Sequence, residues 1–166
     1  MKTKILDAKQ IAQKTERIAY EIYENTFEEP QVFIGGIKGN GYVFAQRLRE
    51  KLNEISTTTN NVHLFEISLN KTNPLQNNVD LSIDSNHLKD ATVILVDDVI
   101  NSGSTLLHAT AKLLAQEVKS IKTAILVNRT HRRFPVLADY VGLNITTTLQ
   151  DNIVVEFGKK EQAYLV

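Results

Sequence analysis

Two adjacent carboxylates, Asp97 and Asp98, follow an apolar run at residues 93–96. After Val99 and Ile100 come Asn101, Ser102, Gly103, Ser104 and Thr105. Hydroxyls from Ser102, Ser104 and Thr105, with the free amides of a helix N-terminus, can enclose a phosphate. Gly103 lets the backbone approach without a side chain in the way. Carboxylates accept hydrogen bonds from hydroxyls, so the acidic pair suits the two hydroxyls of a ribose. Phosphate on one side and a diol on the other describe a ribose 5-phosphate. The same residues also make an ordinary buried strand, acidic turn and helix cap.

A second group is GGIKGNG, residues 35–41. Four glycines in seven residues permit unusual dihedrals and close backbone approach, and Lys38 adds a cation. Such a turn can present amides to a pyrophosphate, or it can simply be a turn.

Residues 93–96 are apolar and, except for Leu95, β-branched. They read as a strand buried on both faces of a parallel sheet, with a helix from Leu106 to Glu117 after the small-residue loop. In such folds ligands bind beyond the carboxyl ends of the strands. Asp7 caps a helix whose stripe is Ile11, Thr15, Ile18 and Ile22, with Ala12 and Ala19 alongside. Short strands are expected at 32–34, 63–69 and 123–127, with apolar pieces at 136–141 and 153–157. A second helix runs from the glycines to about Leu52. Residues 70–90 are polar and broken by Pro74, a length that suits a functional cover as well as a surface excursion. Strands alternating with helices predict a parallel α/β sheet.

Composition fits one domain over residues 1–166. Hydrophobic residues make up 42%, and Lys+Arg and Asp+Glu number 19 each. The chain therefore has material for an ordinary core and no global basic field to recruit nucleic acid or membrane. The absence of cysteine excludes disulfides and thiolate metal sites. No apolar run approaches a membrane span and the first residues lack an apolar signal core, so a cytoplasmic location is expected.

The segment VILVDDVINSGST resembles the 5-phosphoribosyl 1-diphosphate (PRPP) motif of the type I phosphoribosyltransferases. It departs at Asn101, where several purine enzymes carry aspartate. With ILDAKQIAQKTERIAYEI, GGIKGNGYVFAQRL and AILVNRTHRRFPVLADYVG, the chain resembles the pyrimidine operon attenuator and uracil phosphoribosyltransferase family, PyrR, over most of its length. The resemblance implies an α/β type I phosphoribosyltransferase fold: a central, mostly parallel sheet flanked by helices, a small hood and a flexible loop. It implies PRPP and a nucleobase as substrates, Mg²⁺ as cofactor, and a homodimer or tetramer.

By that resemblance Asp97 and Asp98 hold the ribose hydroxyls and meet Mg²⁺ mostly through PRPP or water. Asn101, Ser102, Gly103, Ser104 and Thr105 bind the 5-phosphate. Ile37, Lys38 and Gly39 form the pyrophosphate loop, where a cis peptide at Ile37–Lys38 is expected. Lys71 is the catalytic cation at the start of the 70–90 loop, in place of the arginine of a Tyr-Arg-Asp sequence. It keeps the charge without the planar fork. Asn128 reads the nucleobase edge, Tyr140 stacks on its face, and Val141 contributes backbone. Asn128 matches neither the lysine of purine enzymes nor the aspartate of PyrR-like proteins, so uracil and purines both stay open. Arg17, Arg132 and Arg133 are the cations available to leader RNA. Against RNA stand Leu137, where PyrR relatives tend to carry arginine, and the zero net charge. Asn101 cannot act as a strong base, which favours a pyrimidine, because a purine acceptor has more need of one.

Overall fold

The computed structural model describes residues 2–57, 61–69 and 78–166. Nine strands and three helices are found among them: β1 Thr3–Asp7, α1 Ala8–Thr26, β2 Gln31–Ile37, α2 Asn40–Ile55, β3 Asn61–Ser68, β4 Asp80–Leu81, β5 Thr92–Ile100, α3 Ser104–Leu114, β6 Ser120–Arg129, β7 Tyr140–Ile145, β8 Ile153–Glu156 and β9 Gln162–Leu165. A short 3₁₀ turn, Ser85–Leu88, precedes β5.

Six strands form one sheet in the order β4-β3-β2-β5-β6-β7, parallel except for β4. One core joins α1 and α2 to the sheet through Ile11, Ile18, Ile22, Phe44 and Leu48. A second core puts Leu106, Ala109 and Leu113 of α3 against Phe33, Val93, Leu95 and Ile125. β5 is buried along its whole length because it lies inside the sheet and is covered on both faces. β1, β9 and β8 pair antiparallel as a separate three-stranded sheet, the expected hood.

The chain switches direction between β2 and β5. From β2 it crosses through α2 to β3 on one side, and from β5 through α3 to β6 on the other. A parallel sheet opens a crevice at such a switch, beyond its carboxyl ends. The ends of β2 and β5 are residues 37 and 100, so the glycine-rich turn and the acidic motif arrive at one place.

Several expected boundaries shift. Asp97 and Asp98 lie inside β5, not after it, because β6 keeps pairing as far as Ile100↔Asn128 while β2 stops at Gly36↔Val96. The apolar piece expected at 136–141 gives way to β7 at Tyr140–Ile145; residues 130–139 form a loop whose Phe134 amide donates to the Ser102 carbonyl at 3.0 Å. β1 and β9 had no sequence expectation; β9 is the central strand of the small sheet, flanked by β8 and by the edge strand β1, and both exist through that pairing. Asp7 caps α1 as expected, in a reciprocal box with Gln10, though Ala12 is exposed. No helix among the described residues is long and apolar enough to cross a membrane.

Candidate active site

The acidic pair is almost sealed: Asp97 is 2% exposed and Asp98 8%. Asp97 Oδ1 accepts the Asp98 amide at 2.9 Å, which fixes the first carboxylate against its own backbone. Gly41, in the first turn of α2, lies against it, and an added Cβ there would stand 2.7 Å from Asp97 Oδ1. The absent side chain therefore lets the positive end of α2 close on the carboxylate. No sequence signal separated Gly41 from its neighbouring glycines.

The loop beyond β5 is built by Gly103, which adopts φ +88° and starts α3. A side chain there would be strained and would meet the Phe134 carbonyl at 3.0 Å. The Ser104 amide donates to Ser102 Oγ at 3.2 Å, and Leu107 N to the Gly103 carbonyl at 3.1 Å. A cavity of about 170 Å³ is lined by Asp97, Asn101, Ser102, Gly103 and Thr105, with Val99, Ile100 and Leu106 as its apolar wall. The structure thus brings Asp97, Asn101, Ser102, Gly103 and Thr105 around one space, while Asp98 and Ser104 of the expected set do not line it.

At the glycine-rich turn the expected cis peptide is absent: every described peptide bond is trans. Gly39 carries the unusual geometry, φ +96° with ψ −134°. The Lys38 amide is not free for a ligand, since it donates to the Ile67 carbonyl at 2.9 Å across the sheet edge. The first amides of α2, which have no partner within the helix, remain at this end. Ile37 is buried and the Lys38 side chain exposed. Lys71 and the loop start at 70–77 lie outside the described residues.

The nucleobase residues separate. Asn128 is the last residue but one of β6, beside Ile100 and Asn144. Tyr140 starts β7 opposite Ala124, four residues earlier, which is about 13 Å along a parallel strand. It is 6% exposed and belongs to the core with α1, and burial pushes its phenol pKa upward. Tyr140 is therefore not brought to the crevice; its ring is consumed by packing. Val141 stays with it, its carbonyl accepting from Arg17 Nη2 at 2.9 Å.

Of the three expected RNA-facing cations, Arg132 and Arg133 line one cavity and Arg17 lies apart from them. Arg17 holds the Val141 and Gly142 carbonyls near the start of β7, and Glu21 on its own helix. Arg132 donates to Asn128 Oδ1 near the other end of the β6–β7 pair, and Arg133 lies over the Phe134 ring.

A second cavity, about 260 Å³, adjoins the first through Asn101 and Ser102 and is lined by Arg129, His131, Arg132, Arg133, Leu149 and Asn152. Arg129 is buried, bonding the Thr147 hydroxyl at 2.7 Å and the Thr148 carbonyl at 2.8 Å. Leu149 and Asn152 had no sequence signal, because only the return of the chain past β7 places them here.

For a divalent cation, Asp97 and Asp98 are the oxygen donors at hand. Among the described residues no cluster of three or more His, Asp or Glu is placed to hold a metal. Two carboxylates fit Mg²⁺ that takes its remaining ligands from a diphosphate and water, the usual habit of that ion.

A parallel sheet with acids over the switch point and a small-residue loop opening α3 is the arrangement of a sugar-phosphate transferase. The chain belongs to the phosphoribosyl transferase domain family, whose model matches residues 1–162. It is 34% identical to the Bifunctional protein PyrR of Bacillus pumilus, covering 99% of this chain and 96% of that one. The Streptococcus pneumoniae protein of the same name is 34% identical over 94% of this chain and 91% of its own. Among solved structures, a hypoxanthine-guanine phosphoribosyltransferase from Bacillus anthracis superposes with TM-score 0.77 at 22% identity, covering 100% of this chain and 99% of that one. Hypoxanthine phosphoribosyltransferase from Trypanosoma cruzi gives 0.74 at 20% identity, over 92% of this chain and 84% of that one. These two likenesses establish the fold.

Proposed function

We propose that the protein transfers ribose 5-phosphate from PRPP to a ring nitrogen of uracil, giving UMP and pyrophosphate. The observation that carries this is the cavity where Asp97 faces the 101–105 loop at the switch point. As the bond from the anomeric carbon to the diphosphate oxygen breaks, a bond to the base nitrogen forms and the base gives up its proton. Asp97 and Asp98 hold the ribose hydroxyls, and residues 101–105 hold the 5-phosphate, so binding energy remote from the reacting carbon orients it. The Lys38 side chain, the turn at Gly39 and the start of α2 receive the diphosphate, and Lys71 supplies a further cation. Mg²⁺, when bound with PRPP, offsets the charge of the leaving group. The proposed setting is a cytoplasmic homodimer or tetramer of a single 1–166 domain.

The preference for uracil rests on the similarity to the PyrR-named relatives and on Asn101, an amide that does not titrate near neutrality. A purine acceptor is the second reading, favoured by the fold of the hypoxanthine-guanine enzymes. Against a regulatory role on leader RNA stand the zero net charge and the engagement of Arg17 and Arg132 within the fold. Incubation with PRPP, Mg²⁺ and each of uracil, hypoxanthine, guanine and xanthine, with chromatography of the nucleotide, is the test. UMP is expected; product from a purine alone would overturn the uracil assignment. Titration with pyr leader RNA at physiological salt is expected to show no submicromolar binding.

A further inference from the structure

The Asn128 amide is engaged at both ends inside the protein. It is 7% exposed, its Oδ1 accepts from Arg132 Nη2 at 2.6 Å, and its Nδ2 donates to Asn144 Oδ1 at 2.8 Å. The two ends of an amide are easily exchanged in an isolated asparagine, but a guanidinium can only donate. The end of Asn128 that meets Arg132 must therefore be its oxygen. Asn144, registered directly opposite on β7, then has to turn its own oxygen to the Asn128 nitrogen. Arg132 is itself tethered, with Nη1 on the Val136 carbonyl at 2.5 Å, and it lines the second cavity beside Asn101 and Ser102.

We propose that Arg132 is a positioning residue that sets acceptor specificity by locking the Asn128 amide oxygen inward. One N–H of Asn128 is held by Asn144, and the second is the one we assign to the base. An N–H there pairs with a ring carbonyl and opposes an amino group. The site thereby selects oxo bases over amino bases at that edge: uracil over cytosine, or hypoxanthine over adenine. This rests on the reading that Asn128 meets the nucleobase. A site built to hydrogen-bond one group rejects an analogue that leaves its buried polar atoms unpaired by large factors.

Arg132→Gln tests the donor-only logic, because glutamine can donate or accept and so frees Asn128 to turn over. The expected result is a rise in KM for the base with PRPP KM held. The uracil-to-cytosine ratio of kcat/KM should fall by about tenfold or more, the loss of roughly one hydrogen bond. Arg132→Lys can still only donate, and should restore the ratio. Side-chain amide ¹⁵N–¹H spectroscopy reads the lock without catalysis: Asn128 should give one ordered pair of signals in wild type and Arg132→Lys, and an averaged pair in Arg132→Gln. An unchanged ratio with an unchanged amide pair in Arg132→Gln overturns the proposal. If Arg132→Gln does not fold, Arg132→Lys decides alone, and loss of the oxo preference with lysine overturns it. If the wild-type protein uses no base at all, the transferase reading fails, and the amide spectra still decide whether Arg132 positions Asn128.

Discussion

Replacing Gly41 by alanine adds one methyl group between the first turn of α2 and the buried acid of β5. Its Cβ would stand 2.7 Å from Asp97 Oδ1, 3.1 Å from Ile37 Cβ and 3.2 Å from Asp97 Cα. Ordinary contact begins at 3.4 Å, so the carboxylate or the helix must retreat by about 0.7 Å in a close-packed interior. Asp97 is short and its Oδ1 is tied to the Asp98 amide, so it cannot swing clear without losing that bond. Overpacking of this size costs about 1–3 kcal/mol, partly offset by the roughly 1 kcal/mol that alanine gains over glycine within a helix. Net stability should fall by at most about 2 kcal/mol, leaving a folded protein. Function should suffer more, because a displacement approaching 1 Å at a positioning group costs on the order of 10²-fold. Steady-state kinetics with varied PRPP, beside a thermal melt, is the assay: kcat/KM for PRPP should drop by about 10- to 100-fold with a modest change in Tm. Wild-type kcat/KM in a stably folded Gly41→Ala protein would refute the claim that this contact places Asp97.

Asp98→Asn should raise KM for PRPP and lower kcat while the melt stays cooperative; unchanged kinetics would remove Asp98 from the ribose site. Tyr140→Ala should destabilise the fold by about 3–5 kcal/mol, seen as a Tm lower by roughly 10 °C, because it empties a core position against α1. Surviving folded Tyr140→Ala protein should keep its KM for the base, and a selective rise would return Tyr140 to the acceptor site. The Arg47–Glu161 pair predicts a pH effect on stability. Arg47 holds the Glu161 carboxyl below its ordinary 4.5, so the stabilisation is full above that pH and is lost as pH falls through the lowered value. The Tm difference between wild type and Glu161→Gln should be constant above pH 4.5 and shrink below it; a constant difference into strong acid would show that the pair contributes nothing.

Much of the catalytic end was written locally. VILVDDVINSGST carries its own strand, acids, glycine turn and helix start within one stretch of chain, so propensity and spacing report it directly. The Asp7–Gln10 cap was equally local. Where sequence reading failed, the missing information was long-range register. Tyr140 looked available for stacking until β6–β7 pairing set it opposite Ala124, facing α1 and distant from Asn128.

By itself, then, the sequence determined the alternation of strands and helices and the chemistry of the 97–105 motif, since both depend on neighbours a few residues apart. Only tertiary structure decided that Gly41 lies against Asp97, that Asn144 and Arg132 grip Asn128, and that Arg17 is tied to backbone carbonyls. Except for Arg132, which lies only four residues beyond Asn128 in the loop after β6, those contacts join residues on different strands and helices, and their geometry is fixed by sheet order and crossover direction, which no local pattern encodes.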